Sequence, residues 1–480
     1  GLVEKIDEDY VHRLSTCYRC GTAIEPLPKL QWFINVNKEV RDGKSMKDLA
    51  LEAVRSKQIT ILPERFEKDY FHWVENLHNW CISRQIWFGH RLPVWYRNNE
   101  VYVGREAPEG DGWEQDPDTL DTWFSAGMWT FSTLGWPEET DDFKTFHPTS
   151  VLETGYDIIF FWVARMILMT EFALGEVPFK TVYLHGLVRD MKGRKMSKSF
   201  GNGIDPLDMI NKHGADATRL ALFIGTSPGA DTKLDEKKIA GYAKFVTKLW
   251  NIARYVSMTL QQETGDEKQE TAKELHEIDI AQCTASDHWI LGKLRTLIDE
   301  TTRAYEQHEY SKAAQAVYDF AWHDFADWYV EATKIGDGDE RQKIILIETL
   351  EIILKLLHPA MPFVTEELWE RFGGTQLISA AWPTVSEVPE YDAQQADAFV
   401  FAQECATAIR QARVDAGIAP KDAARATIAL GDADRAQWTD DVQRLVAHFG
   451  RVELVEDEVR GTQVTVRQTT LSVERSPISK

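Results

Sequence analysis

The run Thr181-Val182-Tyr183-Leu184-His185-Gly186-Leu187-Val188, followed by Gly193-Arg194-Lys195-Met196-Ser197-Lys198-Ser199-Phe200-Gly201-Asn202, is the stretch from which the fold is read. Its first part is short, apolar and closed by glycine, the pattern of a buried strand in a parallel sheet. Its second part sets two lysines three residues apart among small hydroxyl residues, with glycine on both sides. A Gly/Ser loop just past the carboxyl end of a parallel strand lies where open α/β sheets bind ligands. Lysine is a compact charge on a flexible stem, so a pair of them can follow a polyphosphate as its charge redistributes. Nucleotidyl transfer depends mainly on positioning and on stabilising developing charge. Basic Gly/Ser loops are also common as plain solvated turns. The strand and the His185-Gly186 pair before this one favour a phosphate loop.

Upstream, Met46, Leu49, Ala50, Ala53 and Val54 recur at helical spacing within 44–58, and Phe66, Tyr70, Trp73, Val74 and Leu77 mark a second helix. Ile59-Thr60-Ile61-Leu62-Pro63 between them reads as a short strand closed by proline. His90 suits either a core position or a polar contact beside a cavity. Residues 97–113 read as polar loop, and 118–136 alternate acid, aromatic and small residues too irregularly for assignment. Val151-Leu152-Glu153-Thr154-Gly155 reads as strand into turn and 157–168 as a strongly apolar helix. Gly155 lets backbone approach a ligand closely. Asp157, at the start of that helix, suits either a capping residue or a ligand contact.

Downstream, Asp205 before Pro206 is an N-cap with proline at the first helical position, and 216–222 is helical. Phe245, Val246, Leu249, Trp250 and Ala253 line one face of a helix beginning near Tyr242. A polar, acidic break at 261–278 precedes helices over 286–308, 310–333 and 340–357, then a short one containing Leu368 and Trp369 with Thr365-Glu366-Glu367 as its cap. Long amphipathic helices joined by short polar loops predict an antiparallel bundle. The end of the chain reads as a helix over 398–416 with strands at Ala426-Thr427-Ile428-Ala429-Leu430 and Gln463-Val464-Thr465-Val466, a small α/β appendage. The fold class is α/β followed by all-α.

With 480 residues, 43% hydrophobic and 27% charged, the chain has the length and composition of a multidomain globular protein. Its formal net charge of -22 argues weakly against a nucleic-acid partner, because RNA is gripped by local basic patches rather than by net charge. Five cysteines in a large chain without a secretory leader predict reduced thiols and a cytoplasmic protein. No apolar run reaches the roughly 18 residues of a membrane span, and no membrane partner is expected. Cys17 and Cys20 form one CxxC, either half of a zinc site or a tight turn with two thiols. No second CxxC completes it, so no metal ligand set is assigned.

The Lys195-to-Ser199 loop resembles, letter for letter, the KMSKS signature of class I aminoacyl-tRNA synthetases. Trp80-Cys81-Ile82-Ser83-Arg84-Gln85 with Gly89-His90, Asp121-Thr122-Trp123-Phe124-Ser125, Phe131-Ser132-Thr133-Leu134-Gly135-Trp136-Pro137 and Glu153-Thr154-Gly155-Tyr156-Asp157-Ile158-Ile159-Phe160-Phe161-Trp162 resemble the valine-specific branch. The isoleucine-specific branch would carry a GxDQ-type run at Gly155. The resemblance implies ATP-dependent activation of valine, with Mg2+, followed by transfer to tRNA(Val) by a monomer. Lys195 and Lys198 would bind the leaving pyrophosphate, and the loop with Met196 and Ser197 would close over ATP. His185, Gly186 and Val188 would line the adenine and ribose region. Gly155 and Asp157 would face the ribose or the substrate ammonium, and Trp123, Ile158 and Trp162 would wall the valine side-chain pocket.

The resemblance also implies four divisions. Residues 1–30 would be a connector from an editing insertion, and 31–235 the C-terminal half of a Rossmann-type nucleotide-binding domain. Residues 236–385 would be a helical anticodon-binding domain, and 386–480 a small α/β region. On the same ground the first half of the nucleotide fold, with its HIGH-type motif, and the editing domain are expected before Gly1. The isolated chain is then expected to be inactive. The rivals are another branched-chain synthetase and a silent tRNA-binding fragment, against which the retained Lys195, Lys198 and Asp157 speak.

Overall fold

The structure, a computed structural model, describes residues 3, 5–6, 9–11, 13–17, 20–197, 201–261, 275, 278–335, 339–372, 376–457 and 459–476. Lys198 and most of the 261–278 break lie outside the described residues. The chain divides into two compact units, Gly1–Leu184 and His185–Lys480.

In the first unit the helix expected within 44–58 spans Met46–Arg55. It starts with a capping box: the Ser45 hydroxyl accepts the Asp48 N–H at 3.2 Å, and the Asp48 carboxylate accepts the Ser45 N–H at 3.0 Å. Met46, Ala50, Leu51, Ala53 and Val54 form its buried face. The Phe179–His185 strand is central in a three-stranded sheet, between Thr149–Gly155 and Thr60–Leu62, and runs parallel to Thr60–Leu62. Phe179, Val182 and Leu184 are fully buried in it.

Two expectations change in detail. The apolar run after Gly155 is helical but composite, with a 3-10 turn at Tyr156–Ile158, a π turn at Ile159–Val163 and an α-helix at Ala164–Ala173. Gly155 occupies the N-cap position, and Asp157 lies in the first turn that follows it. The expected strand 181–188 is two strands. The first ends at His185, and Val188–Arg189 pairs in parallel with Thr232–Lys233 instead. The break falls at Gly186, where an added Cβ would lie 1.8 Å from the Ala230 carbonyl oxygen. Only glycine admits backbone that close.

In the second unit Asp205 accepts the Leu207 N–H at 2.9 Å and caps Pro206–His213, as read. Helices Glu236–Gln261, Ala285–Glu306 and Glu340–Leu357 surround a helical rod made of Tyr310–Asp319, a π-helical stretch Phe320–Tyr329, and Val330–Thr333. Their shared core buries Phe245, Leu249, Trp289, Phe325, Tyr329 and Leu350. The helix holding Leu368 and Trp369 begins at Pro362, so Thr365 lies inside it and donates to the Met361 carbonyl at 2.7 Å rather than capping. The cap comes from Asp216, which accepts the N–H groups of Phe363 (3.2 Å) and Val364 (2.7 Å).

The last region sets helices Ala393–Asp415 and Asp440–Gly450 with a four-stranded sheet. Its order is Glu453–Leu454, Ala424–Ala429, Thr469–Arg475, Thr462–Val466. The buried core of the bundle runs on without a break into Phe399, Phe401, Val446, Phe449 and Val473. Among the described residues no helix is long and apolar enough to cross a membrane.

Candidate active site

The lysine loop grows from the Val188–Arg189 strand. Leu187 N–H donates to Asp231 Oδ1 at 2.8 Å, and the Arg189 guanidinium bonds the same carboxylate. Asp190 then opens a tight turn, its carbonyl accepting the Gly193 N–H at 2.8 Å and its own N–H donating to the Arg194 carbonyl at 3.0 Å. Gly193 has φ +79°, a conformation other residues adopt only at a cost. Lys195 bridges back to Arg189, and Met196 N–H reaches the Val188 carbonyl at 3.3 Å. The side chains of Met196 and Val188 rest on a small apolar cluster of Met209, Ala217, Ala221, Leu234 and Ile239, so the loop has an anchored centre. Lys195 is exposed beside this anchor, and Ser197 is half-buried. His185 Nδ1 donates to the Gly186 carbonyl at 2.7 Å, which places that ring's proton on Nδ1.

In the first unit the residues proposed for an apolar pocket lie on adjoining elements. Asp121 caps the Thr122–Gly127 helix through the Trp123 N–H at 3.3 Å, and Trp123 stacks on Phe161 with ring centres 5.7 Å apart. Trp162 Nε1 donates to the Ala126 carbonyl at 3.1 Å, and its ring lies 5.9 Å from Trp129. Ile158 is half-buried at the end of the 3-10 turn, while Asp157 is exposed one residue before it. Each indole is held in place, Trp123 by its stack on Phe161 and Trp162 by its bond to the Ala126 carbonyl.

Residues 23–110 and 103–235 match the family of class I tRNA synthetases (I, L, M and V), and residues 287–428 match the anticodon-binding domain of tRNA ligases. The chain is 44% identical to the valine--tRNA ligase of Dehalococcoides mccartyi over 450 residues, covering 90% of this chain and 49% of that protein. It is 42% identical to the valine--tRNA ligase of Streptomyces coelicolor over 448 residues, covering 91% and 49%. The chain belongs to the class I aminoacyl-tRNA synthetases. It spans about half the length of these curated relatives. The Mycobacterium tuberculosis methionyl-tRNA synthetase in complex with methionyl-adenylate shares the fold, with TM-score 0.59, 18% identity and coverage of 75% of this chain and 66% of that one.

Sequence reasoning missed one polar cluster of this synthetase chain. Asp121 Oδ2 accepts from Trp80 Nε1 (3.0 Å) and from the Arg84 guanidinium (2.8 Å). The Arg165 guanidinium lies over the Trp80 ring at 4.4 Å and donates to the Phe160 carbonyl at 2.8 Å. Burial pulls the Arg165 pKa down, and the nearby Asp121 carboxylate partly offsets this. Trp80, Arg84 and Arg165 line a cleft of about 430 Å3 with Trp73 and Cys81. Arg84 sat in a quoted motif, but nothing local to Arg165 marks it. Phe161 and Trp129 were likewise unread as pocket neighbours.

Cys17 and Cys20 lie in a turn closed by Cys17 N–H to the Thr22 carbonyl and Gly21 N–H to the Cys17 carbonyl, both 2.8 Å. The Thr22 hydroxyl, 3.4 Å from Cys20 Sγ, and the Thr22 backbone bring the Cys20 thiol down to about 7. Among the described residues no group of three or more His, Cys, Asp or Glu could hold a metal, so these residues do not fit a zinc centre by themselves.

Proposed function

We propose that this chain serves ATP-dependent activation of valine to valyl-adenylate and transfer of the valyl group to tRNA(Val), with Mg2+ accompanying ATP, as a cytoplasmic monomer. The observation that carries the reading is 40–44% identity to valine--tRNA ligases over about 90% of the chain. The exposed Lys195 beside an anchored Met196 supports it. In this reading Lys195 and Lys198 neutralise the departing pyrophosphate, while Met196 and Ser197 carry the loop over ATP. His185, Gly186 and Val188 meet the adenine and ribose. Gly155 and Asp157 meet the ribose or the ammonium group, to which a carboxylate is suited, and Trp123, Ile158 and Trp162 bound the side-chain slot. Catalysis here needs the loop to strengthen its contacts as charge moves onto pyrophosphate. We assign nucleotide chemistry to 31–235, anticodon recognition to 236–385, and ancillary roles to 1–30 and 386–480.

ATP–pyrophosphate exchange tests this, with valine and isoleucine in parallel. The purified chain is assayed alone and after addition of the amino-terminal half of a valine--tRNA ligase. Valine-dependent exchange in the completed protein is expected. Faster exchange with isoleucine would move the assignment to that branch. No exchange with either amino acid would favour a silent tRNA-binding chain.

A further inference from the structure

We propose that Asp190 and Asn202 form a clasp that holds the lysine loop in shape, making both positioning residues for the phosphate chemistry. The idea deepens the proposed function and rests on it for the word phosphate, but its geometry stands alone. Asn202 Nδ2 donates to Asp190 Oδ2 at 3.0 Å across a separation of 12 residues, which ties the two ends of the loop together. The same Nδ2 donates to the Lys195 carbonyl at 3.2 Å, and Asn202 Oδ1 accepts the Ser197 N–H at 3.0 Å. One amide therefore holds the backbone on both sides of Met196. Its orientation is dictated by its partners, since a flipped amide would set donor against donor and acceptor against acceptor.

Asp190 is equally committed. Its Oδ1 accepts the N–H groups of Lys192 (3.0 Å) and Arg194 (2.9 Å), and its Oδ2 accepts from Arg194 Nε at 2.8 Å. The Asp190 side chain is 14% exposed, covered by the Arg194 guanidinium. The loop needs such a device because Gly193 (φ +79°) and Gly201 (φ +61°) leave its backbone an unusually large conformational freedom. Holding Lys195 in one place removes that freedom before the reaction rather than during it. Every hydrogen-bonding contact described for the two carboxylate oxygens and the amide faces the loop itself, so the pair works through Lys195.

The test is an exchange of partners. Asn202→Asp sets two carboxylates face to face. Asp190→Asn with Asn202→Asp restores a donor opposite an acceptor and keeps an oxygen for the Ser197 N–H, while giving up the donor to the Lys195 carbonyl and the acceptor for Arg194 Nε. In the 480-residue chain, trypsin should cut within 192–198 about tenfold faster in Asn202→Asp, as expected for losing a charge-assisted hydrogen bond, and the double variant should recover part of the protection. In the protein completed with the amino-terminal half, Asn202→Asp should lower kcat of exchange while KM for valine holds. Equal cleavage of Asn202→Asp and the parent chain, or no recovery in the double variant, overturns the clasp. Expected cleavage with no exchange in the completed parent protein would leave the clasp standing and remove the function reading.

Discussion

Around Lys195 the backbone is held by polar side chains, Asp190, Asn202 and Asp231, on a largely exposed loop with Met196 turned inward. In the bundle, the Phe245, Phe325 and Tyr329 rings are fully buried and neighbouring helices share a single apolar core. The difference lies in what one lost contact does. A buried ring leaves a cavity whose cost falls on the whole unit, whereas a loop contact frees only a few residues of backbone. A segment that must follow moving charge belongs at the low-stability end of a structure, and the frame that positions it belongs at the high end. Apolar burial supplies the frame, and hydrogen bonds to backbone supply the adjustable part.

The largest effect that would sharpen this contrast is in the bundle. Phe245→Ala removes a fully buried ring that meets Tyr318 at 4.6 Å and Trp322 at 6.0 Å. It should cost about 3–5 kcal/mol in urea unfolding, and a loss below about 1 kcal/mol would break the comparison. Asp216→Ala comes next, because it strips the acceptors from the Phe363 and Val364 N–H groups at a helix start. A loss of about 2 kcal/mol is expected, and Asp216→Asn should recover part of it by keeping one acceptor oxygen.

A third effect is a pH slope in the bundle. Burial, and then the neighbouring Glu348 charge, push the half-buried Glu351 carboxyl up to about 7. The native state therefore keeps a proton that the unfolded chain releases near pH ~4.3. Stability should fall as pH rises from there to about 7 and level off above it. Glu351→Gln should flatten the urea midpoints between pH 5 and 8, and an unchanged slope would reject this account. The smallest effect on stability belongs to the loop. Lys195→Ala should alter unfolding by less than about 0.5 kcal/mol, yet lower exchange by about 2–4 kcal/mol of transition-state stabilisation in the completed protein. A variant that loses stability instead would show that the loop is part of the frame.

Much of the fold was legible because it depends on neighbours within a turn or two. The buried faces of Met46–Arg55 and Ala285–Glu306 follow from apolar spacing, and the Asp205 cap sits two residues from the N–H it accepts. The Gly/Ser character of the lysine loop and its place after a parallel strand were readable on the same terms. The candidate pocket was read only in part. Trp123, Ile158 and Trp162 came from a resemblance, while Phe161, which stacks on Trp123, and Trp129, whose ring lies 5.9 Å from that of Trp162, were not read as their neighbours.

What the sequence by itself determined is the set of amphipathic helices, the strand leading to His185 and the lysine loop, because periodicity and capping act over about four residues. Tertiary structure alone decided where long-range partners meet. Asp216 caps a helix start 147 residues away, and Arg165, on the Ala164–Ala173 helix, covers Trp80 in a strand. Gly186 is required by the backbone of Ala230, and the apolar run after Gly155 winds through a π turn. None of these has a local signature, because the group that makes each one necessary arrives only when distant segments pack.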